Sequence, residues 1–335
     1  MAGLAHFAIV GGGAWGTALA MAAIRAGRRA MLWAREAEVV AEINAQHRNT
    51  AFLPGMALDP AITAVAALEE LVECDALLLV TPAQALRGIA GRLAALVRPE
   101  IPVIVCAKGI EARTGLLMSE VAAQAMPGHA TAMLSGPTFA EEVARGLPTA
   151  ITLACPSLSS GEALAQALAS PAFRIYWSDD LVGAALGGAV KNVLAIACGI
   201  VEGRALGSNA RAALLTRGFA EMMRLGLALG ARAETLSGLA GLGDLTLTCT
   251  SRQSRNMSFG AALGQGGRAA ELLASKPQVV EGAYTAAAVV ARARALGVEM
   301  PICEAVDAVV NGGAEIGATI ENLLARPLRG ERERR

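Results

Sequence analysis

The chain has 335 residues, enough for two units that each bury a core. Hydrophobic residues make up 54% and charged ones 17%, a globular composition that excludes intrinsic disorder. With 29 basic and 29 acidic side chains the formal net charge is zero, which removes any global electrostatic case for nucleic acid or an anionic membrane as partner.

In chain order, residues 1–6 carry no cationic region, and the apolar run behind them is needed as a strand, so no secretory signal is expected. That run, 7–10, leads into Gly11-Gly12-Gly13-Ala14-Trp15-Gly16, and 17–23 reads as helix. Strand, glycine turn and helix form the context in which G-x-G-x-x-G means dinucleotide binding. Gly11 permits the tight turn, Gly13 lets backbone approach a pyrophosphate, and Gly16 lets the helix pack closely on the strand. Free N–H groups at the helix start would face the phosphates. A second strand, 30–34, ends at Arg35, where an acidic residue would hold the ribose 2′-hydroxyl of NAD. An arginine there can pair with a 2′-phosphate, which favours NADP. In the alternative, Arg35 is solvated and Glu36 serves NAD.

Further apolar runs at 76–80, 102–106, 131–134, 149–153 and 173–177 read as strands separated by helical patterns. Continuous rather than alternating apolar strands indicate a sheet buried on both faces. The expectation is an α/β Rossmann-like doubly wound domain over 1–180, mostly parallel, with site-facing loops at 81–82, 107–109 and 135–138. Beyond 180 the pattern is helical: 182–202, 208–230, a loop around 240–256, then 257–274, 281–296 and 301–312. This predicts an all-α domain over 181–325 and a mobile tail at 326–335. The most apolar stretch, 181–201, is interrupted by Lys191 and Asn192 and rich in glycine, so no transmembrane span and no stable membrane insertion are expected. Six scattered cysteines with no C-x-x-C pair suit reduced, buried thiols in a cytoplasmic protein. His6, His47 and His129 lie far apart, and neither a metal site nor a Cys–His nucleophile is expected.

Three places could carry chemistry. Lys191 sits mid-helix between apolar residues, just after Gly187 and Gly188. Burial would lower its pKa towards neutrality and make it a proton donor and acceptor; otherwise its stem packs and its head reaches solvent. Asp244 lies in a glycine-rich run beside apolar residues, where a bare carboxylate is costly, and Lys191 is its natural partner. Ser254, Arg255 and Asn256 precede a helix expected near Met257, a combination suited to an anion or equally to a surface loop.

Taken together, GGGAWGTALA (11–20), LWAR (32–35), CAKGIE (106–111), LSGPTFAEEV (134–143), GGAVKNVLAI (187–196), GLGDLTLTCTSRQSRN (241–256) and VVEG (279–282) resemble the bacterial-type NAD(P)-dependent glycerol-3-phosphate dehydrogenases. The resemblance covers nearly the whole chain. It implies reduction of dihydroxyacetone phosphate to sn-glycerol 3-phosphate for phospholipid synthesis, with NADPH favoured and NADH an alternative, in a cytoplasmic enzyme compatible with a homodimer. It makes Lys191 the proton donor and acceptor with Asp244 beside it, and puts Lys108, Gly136, Thr138, Thr248, Ser254, Arg255 and Asn256 against the substrate. Ala14, Trp15, Arg35, Lys108, Ala140, Arg255, Val279 and Glu281 would line the cofactor beside the motif glycines. Ala14 and Thr138 stand where many members have serine; the first loosens one hydrogen bond to the cofactor, and the second keeps its hydroxyl.

Two other readings remain open at this point. Hydroxyacid and ketopantoate-type dehydrogenases also pair a Rossmann half with a helical half carrying a lysine, and 254–256 could bind a carboxylate. A cofactor-binding regulator would keep the glycines but need neither Lys191 nor Asp244.

Overall fold

Eight short strands and the order in which they pair decide where ligands can sit. The computed structural model describes residues 3–275, 279–327 and 330. In chain order the first part runs β1 (His6–Val10), α1 (Ala14–Arg25), β2 (Arg29–Trp33), α2 (Ala37–Gln46), β3 (Thr63–Val65), β4 (Ala76–Leu79), α3 (Leu86–Ala94) and β5 (Val103–Val105). It continues with α4 (Met118–Ala125), β6 (Thr131–Ser135), α5 (Ala140–Arg145), β7 (Thr149–Ala154), α6 (Leu158–Leu168) and β8 (Phe173–Ser178). The sheet order is β3-β2-β1-β4-β5-β6-β7-β8. Register is set by pairs such as His6 with Arg29 and Phe7 with Ala76. Every neighbouring pair is parallel except β6 with β7, so the last two strands run against the first six. The order reverses between β1 and β4, and crevices form at such reversals beyond the carboxyl ends of the strands.

The continuous apolar strands are explained by two cores, one on each face. Phe7 and Ile9 enter one, with the buried face of α1, while Ala8 and Val10 enter the other. The second core does not stop at the sheet. It runs on through the helices that follow: α7 (Leu181–Gly203), α8 (Gly207–Ala228), α9 (Ala233–Ser237), α10 (Asp244–Thr250), α11 (Arg255–Gly264), α12 (Ala269–Ala274), α13 (Glu281–Ala295), α14 (Pro301–Val310) and α15 (Ile316–Leu324).

α7 is the axis of this second part. Asp180 caps it by accepting from the Gly183 N–H at 2.8 Å, and all residues from Gly183 to Val201 are buried. By length and composition α7 could cross a bilayer; here its apolar window is wholly enclosed by the fold. It meets α11 backbone to backbone, since a Cβ on Gly199 would collide with the Met257 carbonyl and one on Gly260 with that of Ile196.

Several expectations need correction. β3 was not anticipated, because three residues cannot show a period. The stretch 240–256 is not a loop: a π-helical turn at Leu239–Gly243 leads straight into α10. Its β-branched run is poor helix sequence, but Thr248 and Thr250 turn their hydroxyls onto the carbonyls of Asp244 and Thr246 at 2.6 and 2.7 Å. The helix expected over 257–274 is two, broken where Gly266 takes φ +99°. α15 was also missed. Of the tail at 326–335, residues 328, 329 and 331–335 lie outside the described residues, and Arg326 donates to Glu299 at 3.0 Å. All six cysteines are buried and none is in a disulfide.

Candidate active site

The loops after β4, β5 and β6 meet the start of α13, α10 and α7, the loop after β1 adjoins the end of β4, and the site so framed has two dissimilar walls. The first is made of backbone. Gly11 turns at φ +133°, and a Cβ there would stand 2.8 Å from the Val80 carbonyl oxygen on the adjoining strand end. On Gly16 a Cβ would collide with the Gly11 carbonyl, whereas around Gly13 no described atom lies within 4 Å of that position. That open cradle lies at the N-terminus of α1, whose first turn has free N–H groups and no acidic side chain. It fits the pyrophosphate of a dinucleotide. Ala14 and Trp15 open the helix, and the buried Trp15 Nε1 has no partner among the described residues.

What holds this turn was not anticipated. Asn49, 0% exposed, donates from its amide to the Gly12 carbonyl and to the Thr17 hydroxyl, both at 2.8 Å. These partners are 37 and 32 residues away, so no local signal marks Asn49. At the end of β2 the two rival readers of the ribose are paired with each other: Arg35, its side chain 82% exposed, holds Glu36 at 2.6 Å.

The second wall is made of charge. Lys191 is 6% exposed, and its ammonium donates to Asp244 Oδ1 and to Thr248 Oγ1, the latter at 3.0 Å. This excludes the solvent-reaching alternative and bears out the pairing expected from the cost of a bare carboxylate. Asp244, wholly buried at the first position of α10, has a second partner that sequence reasoning missed. Lys108 Nζ, from the loop after β5, reaches Asp244 Oδ2 at 2.6 Å and the Gly136 carbonyl at 3.1 Å. One carboxylate thus joins lysines from both parts of the chain, leaving one net positive charge in a dry place. Burial pushes the Lys191 ammonium down to about 8; Asp244 opposes this, and the like charge of Lys108 adds to it.

Around this centre, Thr138 donates to the Gly136 carbonyl at 3.2 Å, and Ala140 begins α5. The Ser254 hydroxyl caps α11 by accepting from the Met257 N–H at 3.3 Å, so that helix starts two residues before the expected place. Asn256 donates to Asn192 Oδ1 at 3.0 Å and accepts from the Gly282 N–H at 2.9 Å, tying α7, α11 and α13 together. Arg255 is exposed and has no ion-pair partner within 4 Å among the described residues. The surrounding protein lowers its pKa, and the nearby Glu281 carboxylate opposes this. Glu281 Oε1 accepts from the Ala83 N–H at 3.1 Å, while its buried Oε2 has no partner among the described residues. Burial raises the Glu281 pKa. Val279 is half-buried two residues before it. The hydroxyls of Thr81, Ser135 and Thr285 are likewise buried without a described partner.

A cradle for phosphates, an arginine free to take an anion and a buried ammonium poised near neutrality suit the reduction of a carbonyl. Comparison with known proteins points the same way. The family model described as NAD-dependent glycerol-3-phosphate dehydrogenase N-terminus matches residues 6–172, and the one described as its C-terminus matches 180–321. The protein named glycerol-3-phosphate dehydrogenase (NAD(P)+) from Parvibaculum lavamentivorans is 58% identical over 97% of this chain and 97% of its own length. That of Caulobacter vibrioides is 57% identical over 96% of this chain and 98% of its own. The crystal structure of glycerol-3-phosphate dehydrogenase from Coxiella burnetii superposes with a TM-score of 0.92 at 39% identity, covering 96% of this chain and 99% of that one.

Proposed function

The chain belongs to the family of NAD-dependent glycerol-3-phosphate dehydrogenases, and we propose that its Lys191–Asp244–Lys108 cluster is the proton-transfer centre of that reaction. It is an oxidoreductase that reduces dihydroxyacetone phosphate to sn-glycerol 3-phosphate with a nicotinamide dinucleotide, NADPH or NADH. The observation that carries the reading of the site is one wholly buried carboxylate shared by two lysines, one of them enclosed in the middle of α7.

Residues 1–180 serve chiefly the cofactor, joined by Val279 and Glu281 from the second part. The open space at Gly13, the helix start behind it and the unpartnered Trp15 Nε1 and Glu281 Oε2 supply polar groups for it, with Ala140 and Val279 beside them. The dinucleotide, when bound, supplies the hydride. Residues 181–325 supply the proton and most of the substrate contacts, with Lys108, Gly136 and Thr138 added from the first part. As the substrate carbonyl is reduced, negative charge develops on its oxygen, and the Lys191 ammonium stabilises that oxygen and donates a proton to it. In the reverse direction neutral Lys191 takes the hydroxyl proton. Asp244 and Thr248 fix the direction of the ammonium, and Lys108 adds a second positive charge. Arg255 takes the substrate phosphate, helped by Ser254, Asn256, Thr138 and the backbone at Gly136. The product is the backbone unit of glycerophospholipids, and supplying their synthesis in the cytoplasm is part of the same reading, in keeping with six buried free thiols.

The test is the absorbance of the reduced cofactor at 340 nm with dihydroxyacetone phosphate, with dihydroxyacetone and with a 2-keto acid, each with NADPH and NADH. Oxidation dependent on the phosphorylated ketone is expected. Turnover of the keto acid alone would refute the assignment.

A further inference from the structure

Lys108 reaches Asp244 by crossing α7, and what lets it cross is an absence. A Cβ on Gly188 would lie 3.0 Å from Ser135 Oγ and 3.2 and 3.3 Å from Lys108 Cγ and Cδ, tighter than ordinary van der Waals contact. We propose that Gly188 is a positioning residue: the space left by its missing side chain is the passage through which the Lys108 stem reaches the carboxylate it shares with Lys191. The proposal rests on the reading of Lys191 as the proton donor.

The stem has little freedom to give way. Its far end is held by Asp244 Oδ2 and the Gly136 carbonyl. Its near end is held because the next residue, Gly109, is wedged in turn: a Cβ there would lie 2.9 Å from Ala83 Cβ and 3.2 Å from Thr285 Oγ1. Ser135 closes the other side, 0% exposed at the end of β6. Nor can α7 back away, since a Cβ on the preceding Gly187 would stand 3.0 Å from Gly241 Cα in the π-helical turn. A methyl at 188 must therefore displace the middle of a side chain fixed at both ends. The motion available to it draws the ammonium off the carboxylate.

Gly188→Ala separates this from a merely structural role, because alanine is the better residue in a helix interior and should leave α7 intact. In the reduction of dihydroxyacetone phosphate, kcat is expected to fall roughly ten- to a hundredfold, the scale of misplacing a catalytic group by a fraction of an ångström to an ångström. The limb at which kcat declines with rising pH should move to higher pH, since a like charge has been withdrawn from Lys191. In a Lys108→Ala background no stem crosses α7, and of its three close contacts the methyl keeps only the Ser135 hydroxyl, which has no described partner and can rotate. There the same substitution should change kcat by less than about twofold. An unchanged kcat and pH limb in the single variant overturns the proposal, and so does an equal loss in both backgrounds. If Gly188→Ala fails to fold, thermal unfolding of the double variant decides: restored folding supports the passage, and continued failure overturns it. Coupling between positions 108 and 188 with an unmoved limb upholds the passage and instead refutes Lys191 as the group that titrates.

Discussion

The two walls of the site use opposite materials. The amino-terminal wall offers backbone: an open cradle at Gly13, free N–H groups at the start of α1, and a buried amide, Asn49, to hold the turn. The carboxy-terminal wall offers charge: Lys191, Asp244, Arg255 and Glu281, with Lys108 crossing to join them. Backbone groups cannot change protonation state, so they suit the part of a ligand that is only held, the phosphates of a dinucleotide, and not the part that reacts. A charge withdrawn from water has a pKa that its neighbours can move, and that suits a group required to give and take a proton. Binding and chemistry should accordingly fail separately.

The strongest test removes the ammonium. Lys191→Ala should lower kcat by about 10²–10⁴-fold while NADPH still binds, measured by fluorescence of the bound cofactor. In the wild type the acid form drives reduction, so kcat for reduction should fall as pH rises through about 8, and kcat for oxidation should rise through the same range. A reduction limb that survives in the variant would assign the titration elsewhere. Next comes Arg255→Ala, expected to cost roughly 2–5 kcal/mol in kcat/KM for dihydroxyacetone phosphate and much less for dihydroxyacetone. Equal losses on both would move Arg255 from the substrate to the cofactor or the fold.

On the backbone wall, Asn49→Ala strands the Gly12 carbonyl and the Thr17 hydroxyl, at a cost of about 1–3 kcal/mol. KM for NADPH and NADH should rise together while kcat at saturating cofactor stays within about twofold. A fall in kcat with unchanged cofactor KM would break the division between the walls. The smallest effect belongs to Arg35→Ala, which should raise KM for NADPH alone, by about fivefold, the scale of an exposed ion pair near 1 kcal/mol. An equal rise for NADH would leave Arg35 without a part in reading the 2′-phosphate.

The walls also differ in how far the sequence discloses them. The glycine spacing after a short apolar run reads directly, because a turn and a helix start are local events. The strands read well for a related reason: burial on both faces leaves them apolar throughout. Asp244 with Lys191 was legible by a different route, the cost of an unpaired buried charge. Lys108 was given a role only through the family resemblance, and neither its bond to Asp244 nor Asn49 was foreseen, because nothing in the sequence around Lys108 or Asn49 marks a partner 136 or 37 residues away. α10 was hidden by propensity: Asp244-Leu245-Thr246-Leu247-Thr248 looks unlike a helix, and packing with hydroxyl-to-carbonyl bonds makes it one. The break at Gly266 was written in the sequence and passed over: Gly264, Gly266 and Gly267 stand within four residues, a cluster that ends helices, and Gly266 takes φ +99° there.

α7 acquires its cover late. When Leu181–Gly203 leaves the ribosome every strand has been made, but α11, α13 and α14, which enclose it, lie up to about a hundred residues further on. At roughly 5–20 residues per second the helix would wait several seconds with the side not packed on the sheet uncovered, along a span of bilayer length. The machinery that inserts helices into membranes selects segments of this kind, and a lysine near mid-span opposes insertion by about 2.5–3.5 kcal/mol. Translation of a Lys191→Leu chain in the presence of membrane vesicles should accordingly leave more of it in the lipid than the parent chain does, and equal partitioning would remove the effect. On the proposed reading, one ammonium would then hand over a proton in the finished enzyme and bias the nascent chain towards water.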